Sequence, residues 1–379
     1  MTIITRKIKL LIDEKDKKKS YEHWKEMFRI ADVCRISANY VSSHMLLQDF
    51  MKDLIYLNED VKVKLADISK DELGILNTSS LNSTYRLLSK KFKGTIPAAT
   101  FNSINTSIRK TYDKEKKEVL NGEKSLRTYR QNIPIPITSK HLKSGCKRIT
   151  LEYEKEGEIK TVETFGFSFF SVPLSMYFGR DRSGNRLVVE RSFFGDEYKL
   201  CNSSIQIKKN RQTRKHELFL LLTVDIPQKS NSFIEGKEVV AKLSPDFPMV
   251  CSINDRSFKI GTKDEYTYRR LRIQAKLRKL QMELKFSKGG KGRAAKLKAI
   301  DRYHDLEKNY INTKLHQYSR ELVNICVKNR CAKLVLLNIN KEIEEAKEND
   351  FLLRNWSYFG LIEKIKYKAN IEGIEVSLS

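Results

Sequence analysis

Apolar residues recur along this chain with two different periods, and the changes of period divide it. Residues 3–12 alternate β-branched and basic side chains, the pattern of a strand with one buried face, and a charge run follows over 13–19. From Tyr21 to about Asn58 the apolar positions return every three or four residues, through Met27, Ile30, Cys34, Val41, Met45 and Leu54, predicting an amphipathic helix with a break near Ser37. Shorter helices are predicted over 69–76, 80–92 and 98–120, the last closed by Asn121 and Gly122. Pro134 and Pro136 then forbid helix and force an extended path. Strands are predicted over 148–153, 160–168, 187–191, 203–208 and 216–226, separated by Gly, Asn and Asp turns; with the first strand they would close a small barrel.

Beyond a linker at 228–236 the pattern changes again. Two short apolar, β-branched stretches, 235–254 and 333–340, bracket two long helical runs. In the first run Ile273, Leu277, Leu280 and Leu284 fall at i, i+4, i+7 and i+11, one apolar stripe, while Arg269, Arg270, Arg272, Lys276 and Lys279 lie largely off it. Leu297, Ile300, Ile311, Leu315, Leu322 and Ile325 carry the second run, after a flexible basic loop with Lys288, Lys291 and Arg293. Residues 255–330 hold 21 Lys and Arg against 8 Asp and Glu, half of the chain's formal net charge of +26.

That charge narrows the partners to an extended polyanion, nucleic acid or an anionic membrane surface. No run approaches the roughly 18 apolar residues of a membrane span, and the first residues are too charged for a secretory signal, so a soluble intracellular protein is expected. The six cysteines (34, 146, 201, 251, 326 and 331) are scattered without metal-ligand spacing and are expected to be reduced thiols. Two further basic groups are candidate nucleic-acid contacts: Arg127, Tyr129 and Arg130, and the hairpin tip with Lys209, Arg211, Arg214 and Lys215. Each is also what an ordinary solvated surface looks like.

Several stretches resemble the miniature type V-F CRISPR effectors and their TnpB nuclease relatives. Pro248, Met249, Val250, Cys251, Ser252, Ile253 and Asn254 match the second half of that family's first RuvC segment, residues 313–340 are similar to the second, and the segment from Leu126 to Ile137 resembles the family's return to its barrel. The resemblance implies an α+β multidomain fold. Residues 1–20 would give the first strand of a split β-barrel (wedge) domain, 21–130 an inserted helical recognition lobe, 131–230 the rest of the barrel, and 231–379 a degenerate RuvC (ribonuclease-H-like) α/β domain. The family's active site holds two Mg²⁺ ions with three carboxylates. The matched register puts Lys242 at the first carboxylate, Ser244 at the following glycine and Asn338 at the second carboxylate; residues 351–379 resemble the approach to a zinc ribbon and third motif, neither of which occurs before Ser379.

A lysine ammonium repels divalent cations and an asparagine is a weak neutral ligand, so no catalytic Mg²⁺ and no nuclease activity are expected. The alternative register makes Asp246 a ligand, between Pro245 and Pro248 where a regular paired strand is disfavoured. What the resemblance implies is a nuclease-dead protein of the prokaryotic cytoplasm and nucleoid, with a guide RNA and a double-stranded DNA target bearing a short flanking motif. Transcription control follows as a roadblock or through a sigma-like factor or RNA polymerase, and a homodimer fits the class. The rival functions are a nucleic-acid binder without a guide and a divergent nuclease completed by a partner.

Overall fold

The computed structural model describes residues 2–56, 80–155, 158–181, 183–210, 213–243, 247–254, 256–287, 289–337 and 358–378. They gather into two compact units, one built mainly from residues 4–209 and 215–224 and the other mainly from 225–378.

The first unit opens with β1 (Thr2–Ile12), then three helices, α1 (Lys17–Tyr56), α2 (Ser80–Phe92) and α3 (Ala98–Leu120). The helix α1 is continuous through Ser37, which corrects the predicted break. Met27, Ile30, Cys34, Ala38, Val41 and Met45 form one fully buried line, and the small side chain of Ser37 is buried beside it rather than interrupting it. The helices predicted over 80–92 and 98–120 are present with those bounds, while the one predicted over 69–76 lies outside the described residues.

An eight-stranded sheet makes up the rest. It contains β2 (Ile135–Ile137), β3 (Lys147–Lys155), β4 (Glu158–Phe169), β5 (Val172–Tyr177), β6 (Lys199–Leu200), β7 (Ser203–Lys209) and β8 (His216–Ile226), in the order β2-β7-β8-β1-β5-β4-β3 with β6 joined to β8. Ion pairing of Lys9 with Glu217 at 2.7 Å and the Lys7 ammonium 3.7 Å from the Phe219 ring centroid fasten β1 to β8. A short helix, α4 (Ser139–Gly145), follows β2, its first turn capped by the Thr138 hydroxyl.

The strand predicted over 187–191 is instead helix α5 (Asn185–Phe193). Leu187, Val188 and Val189 look strand-like because they are consecutive and apolar, but the buried set is Val188, Val189, Ser192 and Phe193, a helical spacing. The Asp181 carboxylate accepts the backbone N–H groups of Asn185 and Arg186 at 2.8 and 2.9 Å and starts the helix.

The second unit holds a five-stranded sheet, β9 (Ile234–Lys242), β10 (Met249–Ile253), β11 (Arg256–Ile260), β12 (Cys331–Leu337) and β13 (Glu375–Leu378), ordered β11-β10-β9-β12-β13. The first three pair antiparallel; β12 runs parallel to both β9 and β13. A π-helical turn, Asp264–Tyr268, leads into α6 (Arg269–Lys285) and then α7 (Gly290–Lys328), and α8 (Tyr358–Glu372) precedes β13. One face of the sheet is covered: Val239, Ala241, Cys251, Leu334 and Leu336 meet Leu322, Val323 and Cys326 of α7 and Leu361, Ile365 and Ala369 of α8 in a single core.

Two features of this core carry predictions. Gly261 has φ +73°, and a Cβ there would lie 2.6 Å from Tyr318 Cε1 and 2.8 Å from Pro248 Cγ. Gly261→Ala is expected to destabilise the unit by roughly 1–3 kcal/mol, seen as a lower urea midpoint with an unchanged slope. Lys368 of α8 is buried and donates to His316 O at 2.6 Å and Ser319 Oγ at 2.8 Å, with no carboxylate among those partners. Burial, then the charges of Arg320 and Lys364, push its pKa down to about 8. The unfolded chain therefore binds this proton more tightly, so stability rises with pH from about 8 towards the ordinary lysine value of about 10.4. Denaturation of Lys368→Met across that range is expected to show a flatter rise than the parent protein.

Candidate nucleic-acid interface

The basic hairpin α6–α7 is amphipathic in the sense predicted. Ile273 and Leu277 are buried and Leu280 and Leu284 half-buried, whereas Arg272, Lys276, Lys279 and Lys291 are exposed. Arg269 is exposed with its guanidinium 5.0 Å from the Tyr310 ring centroid, and the Lys276 ammonium lies 5.9 Å from the Tyr303 centroid. Aromatic rings thus steady two cations without neutralising them.

Arg270 is a correction. It is buried, and its Nε donates to Glu307 Oε1 at 3.0 Å, where Gln274 Nε2 also donates at 2.8 Å. It ties α6 to α7 instead of meeting phosphate, because position 270 turns inward one residue after Arg269 turns out. Leu297 is a second correction: it is exposed, while Leu315 and Leu322 carry the buried end of α7. Lys288 lies outside the described residues.

Lys209 is exposed at the end of β7, where it pairs with His216, and Lys215 is exposed beside it. Arg214, with φ +58°, places Nη2 3.6 Å from Asp301 Oδ2 of α7. Arg211 lies outside the described residues.

In the first unit, α1 and α3 hold the segment 127–130. Asn39 brackets the Tyr129 backbone, accepting its N–H at 2.7 Å and donating to its carbonyl at 2.9 Å, and Ser42 donates to Arg127 O at 3.3 Å. Arg127 pairs with Glu115, which also receives Lys124 at 2.9 Å; hydrogen bonds from Arg127 and then Lys124 hold the Glu115 carboxyl below its usual range. Arg127 is therefore partly neutralised, although it and Arg130 are both exposed.

This segment forms one wall of a cleft of about 830 Å³. The opposing walls carry Lys110, Asn132, Asn202 and Gln206, which the sequence reading missed. A signal for the α3 wall exists: Ser103, Thr106, Ser107, Lys110 and Thr111 form a small polar stripe at helical spacing, off the buried line of Phe101, Ile104 and Ile108. Amides, hydroxyls and one or two cations suit base edges and phosphates together.

Lys242 ends β9. Because Val239, Ala241 and Leu243 enter the core, Lys242 stands exposed on the opposite sheet face, between Val250 of β10 and Leu337 of β12. Lys259 opposes Val250 from β11, so the two lysines share that face two strands apart, about 10 Å by strand spacing. Their neighbours on it are Val240, Ser252, Val335 and Leu337. Among the described residues no group of three or more His, Cys, Asp or Glu gathers into a metal site. Asn338, Ser244 and Asp246 lie outside the described residues. The cysteines are free thiols; burial pushes those of Cys34, Cys146 and Cys326 up to about 12. No described helix is long and apolar enough to cross a membrane.

No family model matches the chain. Two curated proteins do. The CRISPR-associated endodeoxyribonuclease Cas12f1 of Sulfoacidibacillus thermotolerans is 23% identical over 329 residues, covering 81% of this chain and 71% of that one. The protein of the same name from Syntrophomonas palmitatica is 25% identical over 296 residues, 74% of this chain but only 57% of its own length. Among solved structures, the cryo-EM structure of the Cas12f1–sgRNA–target DNA complex superposes with a TM-score of 0.64 at 16% identity, covering 96% of this chain and 77% of that chain. The fold, with its helices, antiparallel strands and basic surfaces, is thus a Cas12f1-like α+β fold. In sequence and in fold the chain is similar to the miniature type V-F CRISPR effectors.

Exposed and buried cations separate in a mutation series. Arg272→Ala and Lys279→Ala are each expected to weaken duplex binding uniformly across sequences and to lower the salt slope by about 1, with unchanged stability. Arg270→Ala is expected instead to cost about 3 kcal/mol of stability, measured by denaturant titration without nucleic acid.

Proposed function

We propose that this chain is an RNA-guided DNA-binding protein that holds its target without cutting it. The observation that carries this is Lys242, an exposed ammonium at the sheet position where the family register requires a metal-binding carboxylate. A cation there opposes the binding of two Mg²⁺ ions by several kcal/mol at any effective dielectric near 20. The strand order, with a central strand flanked by an antiparallel hairpin on one side and parallel strands on the other, supports a RuvC-like reading of the second unit. The sheet with its three helices supports a wedge and recognition lobe in the first, and the polar cleft between them is the candidate reader of a flanking motif.

In such a protein base pairing supplies sequence, and the protein supplies charge and recognition of duplex shape. A stable R-loop that is never cleaved blocks an advancing polymerase or serves as a platform for a sigma-like factor, which makes transcription control the function. A second protomer on the same guide would add contacts that one small chain lacks. One observation favours a nuclease instead: both curated relatives are named endodeoxyribonucleases.

Purification from the native cell without nuclease treatment, followed by sequencing of bound RNA, tests the proposal. A discrete structured RNA ending in a segment that matches a genomic site is expected. With that RNA, a matched plasmid is expected to be bound equally well in Mg²⁺ and in EDTA and to stay intact. Heterogeneous RNA would sink guided binding, and Mg²⁺-dependent cutting abolished by Asp246→Ala would establish the nuclease.

A further inference from the structure

The α6–α7 hairpin ends in an aromatic side chain that the fold does not bury. Phe286, immediately after α6, is 84% exposed, the most exposed large apolar side chain among the described residues, and Met282 one turn earlier on the same face is 62% exposed. An isolated apolar side chain on a surface is ordinary. This one is mounted on a braced apex. Arg293 Nη1 donates to Ser287 O at 2.8 Å and Leu284 O at 3.4 Å, while Lys296 Nζ donates to Ser287 Oγ at 2.9 Å and Glu283 O at 3.2 Å. Two cations from the first turns of α7 thereby satisfy the terminal carbonyls of α6. The ring's backbone is fixed before anything binds.

Charge decides what the ring meets. Between Glu283 and Asp301 the sequence contains no acidic residue and six basic ones, and Lys279, Lys285 and Lys291 near the apex are exposed. A second copy of this chain would bring like charge against like. An amphipathic membrane helix would present a broad apolar face, not one Phe and one Met. A flat apolar surface ringed by phosphates is the end of a base-paired stem, or a nucleobase left unstacked in it.

We propose that Phe286 is a base-stacking cap, packing on the exposed face of a terminal base pair while Lys279, Lys285 and Lys291 meet the adjoining phosphates. The proposal needs no guide and is independent of whether the protein cuts.

Full-length protein would be titrated with a short RNA stem that has one open blunt end, and with the same stem closed by loops at both ends. Phe286→Ala is expected to lower affinity for the open stem about tenfold, within the range of one aromatic–base stack, and for the closed stem less than twofold. That difference should persist as salt rises, since stacking releases no counterions. Phe286→Trp should restore affinity, with its emission quenched by the open stem only. Both variants should melt with the parent protein, because the ring is exposed. Equal losses on the two stems, or no loss on either, would overturn the proposal. Unchanged stem binding with lost binding to anionic vesicles or lost self-association would also overturn it and reassign the ring to that partner.

Discussion

Parallel pairing of β9 with β12 is the constraint on which the second unit depends. Their register runs from Lys333 opposite Glu238 to Leu337 opposite Lys242, joining the β9–β10–β11 hairpins to β12 and β13. Parallel neighbours cannot be joined by a tight turn and need a crossover, usually helical. Here the crossover is α6–α7, and only its return limb packs on the sheet, through Leu315, Leu322, Val323 and Cys326. The rest of the hairpin is released from core duty. That freedom is what lets its sequence be so basic, because residues that need not be buried can all be solvated cations.

The same pairing fixes the geometry at Lys242. Strand alternation assigns alternate residues to core and open face, and the assignment cannot slip by one residue without exposing Val239 and Ala241. The lysine is therefore held on the open face by the packing of its neighbours. The first unit uses another device for its cleft: Asn39 and Ser42 hydrogen-bond the backbone of 127–129, so side chains of one helix stand in for a neighbouring strand.

Long periodic segments were legible from the sequence because burial there follows one face. The bounds of α2, α3 and β8 agree with the pattern. The pattern misled where composition and period disagree. Leu187, Val188 and Val189 are strand-like residues, yet capping by Asp181 commits them to a helix. β5 carries a weak strand signal, since Pro173 removes a donor from the ladder, and the turn before it places Phe170 and Ser171, neither a glycine, at positive φ. At the interface, charge alone could not tell Arg270 from Arg269. Arg270 is committed to Glu307, while Arg269 stays exposed against the Tyr310 ring, a distinction set by a partner 37 residues away.

The helix α7 has 39 residues without interruption, about 58 Å at 1.5 Å per residue. Its far end lies beside the braced apex, and its near end passes through Asn329 and Arg330, the latter at φ +53°, directly into β12. No flexible joint intervenes between the tip and the core. The apex of the hairpin and the strand that borders Lys242 are thus joined by one continuous helix and a two-residue turn, the shortest covalent route between the tip of the hairpin and the open face of the sheet.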